Sequence, residues 1–140
     1  MQGDDDEMEL DIGALLGAQQ FNGQRLSLYI PSRAQDGKPI NQRLWVEDAL
    51  ALLAKIGGGA TATPIHEGIW INSGSSAPMR DDPVIVYCFI KHYNLIYHIR
   101  ELRDFMHRLG SENFQDAVAF DFDGYFFIIN QENYDEWREE

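Results

Sequence analysis

One cysteine, Cys88, is all the thiol chemistry that the 140 residues hold. A lone cysteine closes no internal disulfide, and without a cysteine cluster there is no thiolate set for zinc. The four histidines, His66, His92, His98 and His107, form no His-Glu-x-x-His pattern and no other ligand spacing. No metal and no cofactor are therefore expected. Basic residues are scarce, 11 Lys and Arg against 23 Asp and Glu, for a net charge of −12. They are also dispersed, whereas a phosphate backbone is gripped by clustered Lys and Arg, so nucleic-acid binding is disfavoured. Long apolar runs are missing too. The longest, Val84 to Ile90, falls far short of the roughly 20 residues that span a bilayer. The N-terminus is acidic where a signal peptide would be basic and then apolar. The expectation is a cytoplasmic protein with no membrane contact.

What is present is enough apolar material, 44% of the chain, to build one core without staples. The negative charge sits at the ends. Residues 1–12 carry six acids and no base, and residues 131–140 carry five acids and Arg138, while the body is close to neutral. This divides the chain into a disordered acidic tail at 1–12, a single domain at 13–130 and a second acidic tail at 131–140. Such tails are solvated and solubilising, or serve as an arm for a basic partner.

Leu26, Leu28 and Ile30 alternate with polar neighbours, which predicts a strand over Arg25–Ile30 with one buried face. A helix over Asn41–Ile56 follows, with Asn41 as N-cap, an apolar stripe at Trp45, Ala49, Leu52 and Ile56, and Gly57 to Gly59 as its stop. Ala60–Ile65 and Gly68–Asn72 read as one second strand, kinked at Pro64 or Gly68, and Ser73 to Pro78 as a loop. Asp82–His92 reads as a central strand covered on both faces, because Val84 to Ile90 is apolar throughout. A second helix is predicted over Asn94–Leu109, capped by Asn94 and Gly110. Asp123-Gly124 between two strand-like runs is the dipeptide of a two-residue hairpin. That turn pairs Phe122 with Tyr125, Phe120 with Phe127 and Val118 with Ile129, and puts those six in the core. The order β-α-β-β-α-β-β predicts an α+β, ferredoxin-like single domain, a mainly antiparallel sheet with two helices on one face.

Several short motifs recur in order: Asp36-Gly37, Trp45 entering the helix, Gly57 to Thr61, Gly68-Ile69-Trp70, the apolar strand Val84 to Ile90, and Gly110-Ser111-Glu112. In this arrangement the chain resembles an uncharacterised family of small bacterial α+β domains over about two-thirds of its length. It departs from that pattern in its acidic tails and its longer last hairpin. The resemblance implies the fold and carries no activity.

No convergent catalytic set is visible, so no catalytic residue is assigned. His66 and Glu67 are adjacent, and adjacent strand residues point to opposite faces. Cys88 lies in an apolar strand and reads as a small hydrophobe. Gly57-Gly58-Gly59 follows a helix and leads into a strand, the reverse of a phosphate-binding loop. A ligand or partner patch is predicted at Arg33, His66, Glu67 and Trp70, an anion fork beside an aromatic wall. The outer face of the last hairpin, Ala119, Asp121, Phe126 and Ile128, is too apolar for open water and is predicted to be an interface.

These features favour a small, acidic, non-enzymatic interaction or regulatory protein. It would work through the open sheet face or the tails, on a protein partner or as a homodimer. Acidic accessory proteins of mobile elements that inhibit host nucleases, bacterial or phage, are the analogy. The alternative is a small-ligand-binding domain or cofactor-free enzyme of the dimeric α+β barrel type, with Arg33, His66 and Trp70 converging in a pocket. A third reading stacks bases on Tyr29 and Phe126 and lacks the basic groove.

Overall fold

The computed structural model describes residues 10–65, 67–71 and 77–135. Its elements are α1 Ile12–Leu16, β1 Gln24–Ile30, α2 Gln42–Gly57, β2 Thr61–Pro64, β3 Gly68–Ile71 and β4 Pro78–Asp81. Then come β5 Val84–Ile90, α3 His92–Tyr97, α4 Ile99–Glu112, β6 Ala117–Phe122 and β7 Tyr125–Asn130, followed by a 3-10 turn at Gln131–Asn133. The fold is α+β. Five strands form one sheet in the order β2-β5-β1-β6-β7, and every neighbouring pair is antiparallel. β3 and β4 form a separate two-stranded ribbon.

The alternation in β1 sends Leu26, Leu28 and Ile30 to one side, together with Val86, Cys88 and Ile90 of β5 and Val118 of β6. α2 and α4 cover that side with Trp45, Ala49, Leu53 and Ile56 from one helix and Leu102, Phe105, Met106 and Leu109 from the other. α2 starts as predicted, with Asn41 Oδ1 accepting the Leu44 N–H at 3.3 Å. It ends at Gly58, whose φ of +89° is the left-handed conformation that glycine adopts freely.

Several expectations need correction. The second strand is two strands in two different sheets. Pro64 lacks the N–H that would continue the ladder, and at Gly68 the partner strand passes so close that a Cβ would lie 2.7 Å from the Asp81 carbonyl oxygen. β4 falls in a stretch that reads as loop and turn. The second helix is broken at His98 into α3 and α4, and it runs on past Gly110. Gly110 caps nothing. It is buried inside α4, where a Cβ would collide with the Tyr134 ring. β5 is covered on one face only, and Phe89 is 51% exposed, because both long helices lie on the same side.

The Asp123–Gly124 turn forms as read, with φ of +54° and +86°, and all three predicted pairs are in register. Of the six residues placed in the core, Val118 is buried and Phe120, Phe122 and Ile129 pack partly against it. Tyr125 and Phe127 stay exposed, since β7 is the sheet edge and the helices pack on β1, β5 and β6. Residues 1–9 and 136–140, most of the acidic tails, lie outside the described residues. Ile12 already belongs to α1, and Asp135 is docked on α4 through a bidentate pair with Arg103 at 2.8 and 2.9 Å.

Candidate functional site

The sheet face away from the helices is built by the alternate residues of the same strands. β1 contributes Arg25, Ser27 and Tyr29, β6 contributes Ala117, Ala119 and Asp121, and β7 contributes Phe126 and Ile128. The β3–β4 ribbon roofs part of this face. Trp70 and Met79 are direct partners across the ribbon, and both line a cavity of about 220 Å³ whose floor is Tyr29, Ala117, Ala119 and Phe126.

Polar ties hold the roof to the walls. The Trp70 indole N–H donates to Asp116 Oδ2 at 3.3 Å. Asp81 Oδ1 accepts from the Ser32 N–H at 2.8 Å and from its hydroxyl at 2.6 Å, and that hydroxyl accepts the Asp82 N–H at 2.9 Å. Gln115 is buried beside the cavity. Its side-chain amide donates to the Arg33 carbonyl at 2.8 Å and the Asn113 carbonyl at 3.1 Å, which fixes the loop that carries Arg33. Arg33 itself donates one N–H to Gly37 O at 3.2 Å, so its fork has further donors beside the cavity it lines.

On the floor, the Tyr29 hydroxyl donates to Asp121 Oδ2 at 3.0 Å, and its ring meets Phe126 edge-on at 5.8 Å. Burial, and then the Asp121 carboxylate, push the Tyr29 phenol above its ordinary range. The cavity thus combines three aromatic rings with two carboxylates, Asp81 and Asp116, and one guanidinium. Such a set suits a flat, partly polar small molecule.

The two patches singled out from the sequence meet here. Arg33 and Trp70 line the same cavity as Ala119 and Phe126. Asp121 borders it through Tyr29, while Ile128 lies outside the lining. Glu67 is exposed ahead of β3 and does not join the lining, and His66 lies outside the described residues. Sequence reasoning missed Asp81, Asp116 and Gln115. The only trace of the first is the acidic pair Asp81-Asp82 before Pro83. Cys88 is on the opposite face of the sheet, buried, its thiol pushed up to about 11 by desolvation, as an inert thiol should be. Among the described residues no group of three His, Cys, Asp or Glu side chains is arranged to hold a metal, and no helix is long and apolar enough to cross a membrane.

Neither a protein-family model nor the sequence of a curated protein matches this chain. Solved structures do match its fold, two of them as follows. One is a phage SAM lyase in complex with S-methyl-5'-thioadenosine. It superimposes with a TM-score of 0.61 and 14% identity over 83% of this chain and 95% of that one. The other is a phage SAM lyase in the apo state, with a TM-score of 0.57 and 12% identity over 86% of this chain and 98% of that one. At such identities the likeness is one of fold. It corrects the expectation of a non-enzymatic interaction protein. Both of these solved chains are those of an enzyme, and the sheet face behind that expectation is the floor of a ligand-sized cavity.

Proposed function

We propose that this protein is a small-ligand enzyme whose site is the cavity between the sheet and the β3–β4 ribbon, and that its ligand is an adenosyl sulfonium. The observation that carries the proposal is the lining itself: Tyr29, Trp70 and Phe126 around Asp81, Asp116 and Arg33. A purine stacks on aromatic faces. Ribose hydroxyls donate to carboxylates, here Asp81, already oriented by Ser32, and Asp116. A sulfonium is a cation, and ring faces and carboxylates both stabilise it. The fold likeness to a phage SAM lyase, solved with S-methyl-5'-thioadenosine bound, supports the same ligand class. When a carbon–sulfur bond of a sulfonium breaks, the electron pair stays on sulfur, which leaves as a neutral thioether, and the carbon that it leaves takes an electron pair from an oxygen of the ligand's own carboxylate, closing a ring without an outside nucleophile. The protein's part is to hold the two fragments in the reacting geometry and keep water out.

We also infer a ferredoxin-like layout. Read from β6 through β1 and β5 to β2, the sheet has two strand–helix–strand units interleaved. The ribbon is then an insertion between β2 and β5, and β7 an added edge.

The test is to incubate the protein with S-adenosylmethionine and follow release of S-methyl-5'-thioadenosine by chromatography. Steady release that vanishes on heating the protein is the expected result. No release, together with no saturable binding of S-methyl-5'-thioadenosine by calorimetry, overturns the proposal.

A further inference from the structure

A second cavity, of about 360 Å³, adjoins the first on the same sheet face and is lined by Arg25, Tyr29, Asp121, Gly124 and Phe126. Tyr29 and Phe126 line both cavities, so this edge-to-face pair forms their common wall. One extended ligand can lie against these two rings and reach both sides.

The second cavity carries one cation, Arg25, and one anion, Asp121, both from the sheet itself. The register explains their spacing. Ser27 of β1 lies directly opposite Asp121 of β6, and Arg25 precedes Ser27 by two residues on the same face. Arg25 and Asp121 are therefore diagonal neighbours across the ladder, about 7–8 Å apart at the backbone. Other groups hold each of them in place. Arg25 donates through Nε to Ser27 Oγ at 3.2 Å, and its guanidinium lies 3.9 Å from the centre of the Tyr87 ring. Asp121 accepts the Tyr29 hydroxyl at 3.0 Å. The turn residue beside them, Gly124, puts no side chain across the mouth.

We propose that this second cavity is the subsite for the zwitterionic α-amino-acid end of an adenosyl amino-acid ligand, with Arg25 taking the carboxylate and Asp121 the ammonium. The inference rests on the adenosyl reading of the first cavity and adds what that reading leaves open: which residues distinguish the whole substrate from its thioadenosine fragment. A guanidinium matches a carboxylate in shape as well as charge. Asp121 holds the Tyr29 hydroxyl on Oδ2, and a carboxylate has two acceptor oxygens, so it has acceptor capacity left to meet an ammonium.

The experiment is calorimetric titration of the full chain with two probes. S-adenosyl-L-homocysteine has the amino-acid end, and S-methyl-5'-thioadenosine lacks it. Arg25 is exposed, and an Asn at 121 still accepts the Tyr29 hydroxyl, so Arg25→Gln and Asp121→Asn leave the fold in place. The expected result is that the wild-type protein prefers S-adenosyl-L-homocysteine. Each variant then weakens that ligand by about tenfold and leaves S-methyl-5'-thioadenosine within about twofold, the size of a lost charge-assisted contact. If both probes bind and the variants weaken both alike, or neither, the subsite is overturned while the adenosyl cavity stands. If the wild-type protein binds neither probe, the adenosyl reading falls and this subsite falls with it.

Discussion

On the helix side of the five-stranded sheet, Leu28, Ile30, Ala49, Leu53, Val86 and Leu109 are each almost fully buried, and contact is apolar against apolar. On the ribbon side, Trp70, Met79 and Tyr29 are only half-buried, and the layers are joined by particular hydrogen bonds, Trp70 to Asp116 and Ser32 to Asp81. The same strands supply both faces, residue by residue. One face is closed by the amount of apolar surface it removes from water, which is non-directional. The other is kept open by directional ties that leave a gap between them. Stability should therefore belong to the first face and ligand recognition to the second.

Three substitutions or conditions test that division. The largest effect on folding is expected from Leu28→Ala, which empties a site in the centre of the core. It should lower the unfolding free energy by about 2–5 kcal/mol in urea titration, with S-methyl-5'-thioadenosine affinity of the folded fraction unchanged. Lost affinity at full folding would show that the two faces are coupled. Trp70→Ala should do the reverse. It should cost about 1 kcal/mol or less of stability and weaken the same ligand by about tenfold or more, in line with the loss of one stacking platform. A Trp70→Ala protein that unfolds as readily as Leu28→Ala would make the ribbon part of the core.

The smallest expected effect is a slope in pH that belongs to the helix side alone. His107 Nδ1 accepts the Asp135 N–H at 2.7 Å, and burial holds the imidazole below its ordinary range, against the opposing pull of the Asp135 carboxylate. The unfolded chain then takes up the proton first. Stability is full above a pH of about 6.5 and falls as the pH drops below it. Urea midpoints at successive pH values should follow that slope in the wild type and lose it in His107→Gln, while thioadenosine affinity at neutral pH should not change.

The parts legible in the sequence are those settled by near neighbours. Asp123-Gly124 specifies its turn locally and fixes the register of β6 and β7. Asn41 and Gly58 bound α2 by satisfying or releasing backbone within one turn. The parts that escaped depend on residues distant in the chain. β4 has four residues, too few for alternation to register, and only its pairing makes it a strand, while β3 reads as strand from its residues but nothing nearby in the chain says that it leaves the main sheet. The apolar run of β5 says that the strand is buried and is silent on which side, because that depends on where both helices dock. Of the candidate site, Arg33, Trp70, Ala119 and Phe126 were legible as odd residues out. Their meeting was not, and Gln115 and Asp116 gain meaning only from the loop and the indole that they hold.

The ribbon has a consequence for how this protein can change over generations. Among the described residues β3 and β4 share no ladder with the five-stranded sheet. Side chains facing the cavity from the roof can be exchanged without disturbing a single register on the floor, whereas the floor residues Tyr29 and Ala119 alternate with core residues Leu28 and Val118. A substitution in the roof thus reshapes the cavity with every pairing beneath it intact, whereas one at Tyr29 or Ala119 acts on a strand that also carries the core.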